Sequence, residues 1–251
     1  MNVKELLLRF VPISLQQMDH VSLMDRVDTK FIGPSGLLTE ILHQLVEDYK
    51  ILEIDDCRLF PYKTEYFDTK GFHMYEAHQN GKLNRFKVRK REYLISGQHF
   101  LEIKFKNNKG RTIKKRITID STMENFNSCE QRFLKDNSPF KGEDLEPKLF
   151  NSFNRITLVG ESERLTIDHD LSYTNETGMV IEFPEIVIIE LKQKKYTLNS
   201  VAQKVLKKYK MRPESFSKYC LGAASLNKDI KANRLKQKFN LIKKIKSEIE
   251  N

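Results

Sequence analysis

The chain has 251 residues, room for one large domain or two small ones, with 39% hydrophobic and 31% charged residues and a formal net charge of +10. Such a patterned composition excludes a disordered chain, and the positive balance favours an anionic partner. No apolar run approaches the roughly 20 residues that span a bilayer, the start MNVKELLLRFVPISL has no signal-peptide core, and Cys57, Cys129 and Cys220 lack CxxC or zinc spacing, so a cytoplasmic protein without disulfides is expected.

Residues 1–18 read as a short helix stopped near Pro12, a turn and a second short helix. MDRVDTKFI predicts a strand that ends at GPSG, and residues 36–47 place Leu37, Leu38, Ile41, Leu42, Leu45 and Val46 at the spacing of an amphipathic helix. CRLFPYKTEYFDT is extended, and GFHMYEAHQNG predicts a short helix closed by Gly81. Strands follow at about 83–95, 99–107 and 110–120, with turns near Gly97 and Gly110. Residues 121–150 are polar and mixed, predicting one or two short helices and the loop NSPFKGEDLEP. Strands resume at about 151–158, 162–169, 178–183 and 185–194. The helix LNSVAQKVLKKY, the loop KMRPESFSKY and a short helix come next. Without repeats or a linker, one domain over 1–227 is expected, followed by a basic amphipathic helix over 228–251 with Leu235, Phe239, Ile242, Ile245 and Ile249 on one stripe.

Alternate side chains of a strand share a face. One face of the strand at 85–91 carries Arg85, Lys87, Arg89 and Arg91, the other Phe86 and Val88. Likewise Glu102, Lys104 and Lys106 oppose Leu101, Ile103 and Phe105, and Lys114 and Arg116 oppose Ile113, Ile117 and Ile119. Later, Arg164, Thr166 and Asp168 oppose Leu165 and Ile167, and Glu190 and Lys192 oppose Ile189 and Leu191. The polar faces could simply meet water. Against that stands their charge: neighbouring strands would set cations side by side, which destabilises a sheet. A sheet closed into a barrel of about eight strands, basic side inward, would instead enclose one small ligand, and a chain of phosphates suits it. Among the acidic minority, Glu102 reads first as an ion-pair partner, while Glu190 reads equally as an ion-pair partner or as a ligand of Mg²⁺ or Mn²⁺, with Asp168 a further candidate.

In this order, DRVDTKF, YKTEYFDT, RKREY, FLEIKFK, SFNRITL, RLTID, IIELK and SFSKY make the chain resemble, over about 25–222, the VTC domain, a polyphosphate polymerase domain among the CYTH-like triphosphate tunnel metalloenzymes. The resemblance implies an α+β fold: a closed antiparallel eight-stranded tunnel with surrounding helices. It implies Lys30, Arg89, Arg91, Lys104, Arg155, Arg164 and Lys218 as catalytic residues, Lys114, Arg116, Lys192 and Ser217 as phosphate-binding, and Glu190 as the ligand of Mn²⁺ or Mg²⁺. Phe153 stands where the family often has Tyr, the ExExK motif of tunnel triphosphatases is absent, and neither an SPX-type domain nor a transmembrane segment is found.

The expected activity is transfer of a phosphoryl group from ATP to polyphosphate. A tripolyphosphatase or nucleoside triphosphatase and a non-catalytic polyphosphate-binding subunit are the alternatives. Nucleic acid is not expected, because Phe86 and Phe105 sit on the apolar faces instead of interleaving with the cations for base stacking. The basic tail helix suits a membrane-protein partner or an anionic membrane surface, or else packs its stripe on the domain.

Overall fold

In the computed structural model, which describes residues 2–20, 26–122 and 125–250, the protein builds one large sheet. Its strands are β1 (Val11–Ile13), β2 (Val27–Pro34), β3 (Lys50–Leu52), β4 (Phe60–Thr69), β5 (Arg85–Tyr93), β6 (Gln98–Lys106), β7 (Thr112–Ile119), β8 (Leu145–Val159), β9 (Glu163–Thr174), β10 (Val180–Phe183) and β11 (Ile186–Gln193). The helices are α1 (Val3–Leu7), α2 (Leu15–His20), α3 (Leu38–Leu45), α4 (His73–Gln79), α5 (Ser128–Asn137), α6 (Val201–Lys208), α7 (Lys218–Leu226) and α8 (Lys236–Glu250). Asp25, which opens DRVDTKF, lies outside the described residues.

Eight strands run in the order β2-β11-β9-β8-β4-β5-β6-β7, all neighbours antiparallel. The expected closed eight-stranded barrel is corrected on two counts. The sheet has eleven strands, with β10 appended to β9 and a parallel β1–β3 pair joined to β8. It is also open: among the described residues β2 and β7 do not pair. At Lys30 and Phe31 the free edge of β2 is already taken, since Phe31 bridges Pro213 and the Glu214 amide donates to the Lys30 carbonyl at 2.7 Å. A strand edge satisfied by a loop has no bonds left for a partner strand.

The sheet nevertheless curls. Register shifts lie at Tyr66/Phe67 in the β4–β8 ladder and at Ser152/Asn154 in the β8–β9 ladder, and Asp170 at the second takes φ +53°. Bulges bend strands and increase twist. The result is a concave face whose walls approach each other: consecutive residues at the start of α7 reach both, Ser217 accepting from Lys87 on β5 and Lys218 pairing with Asp168 on β9, strands that a flat sheet would hold about 14 Å apart.

Helices cover the convex side as the alternation predicts. Ile156, Leu158, Leu165, Ile167, Val187, Ile189 and Leu191 pack against α1, α3 and α6, and Val88, Leu101, Ile103 and Ile119 against the region of α5. On the concave side α7 and α8 close one end through Tyr219, Leu221, Ile242 and Ile245. Leu235, Phe239, Ile242 and Ile245 of the expected stripe thus pack inward, whereas Ile249 is exposed, and Lys236, Lys243, Lys244 and Lys246 face solvent. Two local expectations differ. Pro12 sits in β1 instead of ending a helix, and β8 begins at Leu145, inside the segment read as helix and loop.

Candidate functional site

Cross-strand pairing sets Lys30 beside Glu190, Glu190 beside Thr166, Lys192 beside Arg164, and Arg155 beside Asp168. Farther along the sheet it sets Arg91 beside Thr64, Arg89 beside Glu102, and both Lys87 and Lys114 beside Lys104. All of these side chains therefore stand on the concave face, as do Arg116 and Ser217, the latter at the N-terminus of α7. Lys115, the intervening residue, points the other way and donates to Asn137 of α5, which fixes Lys114 and Arg116 as the inward pair of β7.

Three carboxylates share this face, and each is held between two cations. Asp168 accepts two bonds from Arg155, Nε at 2.6 Å and Nη2 at 2.7 Å, and pairs with Lys218. Glu102, fully buried, accepts from Arg89 Nε at 2.7 Å and pairs with Lys114. Glu190 pairs with Lys30 through one oxygen and Lys192 through the other. Burial disfavours ionisation of all three, but Arg155 and Lys218 for Asp168, Arg89, Arg91 and Lys114 for Glu102, and Lys192 and Lys30 for Glu190 outweigh it and hold the carboxyls well below the usual range.

Nine cations (Lys30, Lys87, Arg89, Arg91, Lys104, Lys114, Arg155, Lys192 and Lys218), with Arg116 and Arg164 in addition, therefore share this face with the three carboxylates. Among the described residues Lys87, Arg91 and Lys104 face no carboxylate at ion-pair distance: Lys87 donates to Ser217 Oγ at 2.8 Å and Arg91 to Thr64 Oγ1 at 3.2 Å. The excess registers in their proton affinities. Arg89, burial and Arg91 push the Lys104 ammonium well below the usual lysine range, burial pushes Lys87 and Lys218 down, and burial takes Lys114 to about 8 although Glu102 opposes it. Aromatic rings replace some of the lost water: Arg91 and Arg155 lie 5.4 and 5.2 Å from the Tyr62 ring centroid, and Lys218 lies 4.6 Å from that of Phe153. Arg116 is exposed over Phe100 at 4.5 Å, and Arg164 is half-buried at the end of β9.

Sequence reasoning did not find Asp168 as the partner of Lys218, nor Thr64, Tyr62 and Tyr66 as members of this face. The alternation in KTEYF was the available signal: Thr64 and Tyr66 share the parity of Tyr62.

The carboxylates that a divalent ion could meet on this face are Glu190, Glu102 and Asp168, each paired with two cations. Among the described residues no three of His, Cys, Asp and Glu cluster as a metal cage. Mg²⁺ is ordinarily held by one or two carboxylates together with substrate phosphates, a donor set that Glu190 beside a phosphate chain would satisfy.

Residues 25–227 match the VTC domain family. No curated protein matches the chain in sequence. Among solved structures, the fold is similar to that of a Hippeastrum protein, HpAC1, described as an adenylyl cyclase candidate with a dominant triphosphatase activity. The two are 15% identical with a TM-score of 0.54, over 80% of this chain and 96% of that one. A candidate adenylate cyclase from Bacillus halodurans is 16% identical with a TM-score of 0.51, over 77% of this chain and 94% of the other. No helix among the described residues is long and apolar enough to cross a membrane.

Proposed function

The chain belongs to the VTC domain family, and from that premise we propose that its concave face binds a chain of phosphates and transfers the γ-phosphoryl group of ATP to the end of a polyphosphate. One observation carries the reading: the inward cations far outnumber the three inward carboxylates, and among the described residues Lys87, Arg91 and Lys104 face no carboxylate at ion-pair distance. A protein keeps so many like charges together when an anion with many oxygens fills the space between them.

Phosphoryl transfer asks for little covalent chemistry, so positioning and charge neutralisation do most of the work. A terminal oxygen of the polyphosphate bonds to the γ-phosphorus as the bond to the β–γ bridging oxygen breaks, and ADP leaves. Arg89, Arg91, Lys104, Arg155 and Arg164 neutralise the phosphate oxygens, Lys114, Arg116, Lys192 and Ser217 hold the flanking phosphates, and Lys30 and Lys218 orient the terminal one. Glu190 is the carboxylate that would hold Mg²⁺ or Mn²⁺, which when bound supplies further positive charge to the transferring group. The exposed lysines of α8 suit a membrane-protein partner or an anionic membrane surface.

A second reading, binding without transfer, is favoured by the pairing of both Glu190 oxygens with lysines. Incubation of the purified protein with ATP and Mn²⁺ separates the possibilities. ADP together with lengthening polyphosphate supports the proposal. Phosphate without chain growth means that water is the acceptor, and binding without turnover, indifferent to Glu190→Gln, means a binding subunit. Absence of both turnover and polyphosphate binding overturns the assignment of the face.

A further inference from the structure

Helix α7 reaches the phosphate face through three consecutive residues, each against a different wall. Ser217 Oγ accepts from Lys87 on β5, Lys218 pairs with Asp168 on β9, and the Tyr219 hydroxyl donates to Asp68 on β4 at 2.6 Å. Only the third contact involves no charge that a phosphate chain would compete for.

Asp68 is fully buried. Its Oδ1 accepts from the amides of Thr69 and Met74 at 2.8 and 2.9 Å, and its Oδ2 from the amide of Tyr75 at 2.8 Å as well as from Tyr219. It thereby caps α4, whose own N-cap residue, Phe72, has φ +58° and offers no side-chain acceptor. The Tyr219 ring stacks on Tyr66 at 5.1 Å, and Tyr66 in turn accepts from Arg89 at 3.4 Å. Burial, and after it Asp68, raise the proton affinity of Tyr219 well above the usual tyrosine range, so its hydroxyl stays a donor. On the far side α7 meets β9 closely: a Cβ built on Gly222 would lie 2.3 Å from Tyr173.

We infer that Asp68 and Tyr219 are positioning residues that fix the N-terminus of α7, and with it the Lys218 ammonium, at the phosphate face. The inference rests on the reading of that face as a phosphate site. When a phosphate chain draws Lys218 away from Asp168, the bond between Tyr219 and Asp68 still holds the helix start in place, so Lys218 meets the ligand from a fixed backbone. Without that bond Lys218 must be ordered at the moment of binding, and ordering a flexible side chain and its helix end costs affinity.

The test is calorimetric binding of tripolyphosphate at fixed salt to the full chain, its Tyr219→Phe and Lys218→Ala variants, and the double variant. Tyr219→Phe removes one oxygen and leaves Asp68 its three amide donors, and thermal unfolding checks that it folds. The expected result is a loss of about tenfold for Tyr219→Phe in the parent, and no further loss when it is added to Lys218→Ala. Asp68→Asn, which keeps an acceptor for α4, should reproduce the loss. Unchanged binding by Tyr219→Phe overturns the inference, and so does a loss of equal size with and without Lys218, because a merely structural role would weaken both backgrounds alike. Tripolyphosphate failing to bind the parent refutes the reading of the face itself, a result distinct from either.

Discussion

Glu102→Gln tests the electrostatic account of the face most directly. Glutamine keeps the shape of Glu102 but removes its charge and turns an NH₂ toward Arg89 or Lys114. Removing one partner of a buried ion pair costs about 3–5 kcal/mol, because the other charge is left buried and uncompensated. Arg89 is that partner, its side chain 8% exposed. Lys114, with a side chain 35% exposed, adds at most about 1 kcal/mol. A loss of about 4 kcal/mol, at about 2–4 °C per kcal/mol for a chain of this size, lowers Tm by about 8–16 °C. Tripolyphosphate should then restore what the carboxylate supplied. At a hundred times its Kd it returns about 2.7 kcal/mol to either protein, and at one common concentration the rise in Tm should be larger in the variant, whose face carries one more net positive charge. Thermal unfolding followed by circular dichroism, with and without tripolyphosphate, reads both effects. A variant that melts within about 2 °C of the parent, or that gains less from the ligand than the parent does, would falsify the claim that Glu102 offsets crowded cations.

Gly222→Ala should destabilise, since its methyl would lie 2.3 Å from one Tyr173 ring carbon and 2.7 Å from another; overpacking of about 1–3 kcal/mol outweighs the gain of about 0.5–1 kcal/mol that alanine normally brings to a helix, and an unchanged or raised Tm would contradict it. Binding of tripolyphosphate should take up protons, chiefly at Lys104 Nζ, because phosphate charge reverses the effect of Arg89, burial and Arg91 that lowers its proton affinity; affinity therefore falls as pH rises, and a calorimetric enthalpy that is the same in buffers of different ionisation heat would count against it. Glu65, buried beneath the convex face opposite Lys90, is raised by burial to about 7. Between its ordinary value of 4.5 and about 7 the folded state binds the extra proton, so Glu65 draws stability down as pH rises through that window. Glu65→Gln should accordingly raise Tm at pH 8 and hardly alter it at pH 5, and an equal change at both would exclude the titration as the cause.

The strands and their faces were legible because alternation is a local property. Arg89, Arg91, Lys104 and Glu190 could be placed on one side from parity alone, and the structure brings them to one concave face with Lys30, Arg155 and Lys218. What parity cannot carry is the partner across space. Lys90 interrupts the apolar parity of Phe86 and Val88, and only the fold shows that Glu130, forty residues on, meets it at 3.2 Å beneath α5. Asp68 escaped notice for the same reason, since its four donors come from its own strand end, α4 and α7. Closure was misread because it depends on strand edges. The segment carrying Pro213 occupies the edge of β2, and nothing in the alternation of β2 or β7 records that. The length of β8 was hidden by a bulge and by the polar residues around Pro147.

That unjoined edge bears on how a long polymer could be accommodated. A complete ring has a fixed girth: widening it means breaking backbone hydrogen bonds, and a strand of polymer must be threaded through it from a free end. Here no backbone bond links β7 to β2 among the described residues, so a parting of the two rims would break no rung of any ladder. A polymer with both ends occupied elsewhere could be laid in from the flank and peeled away again, much as a cable is pressed into a clip.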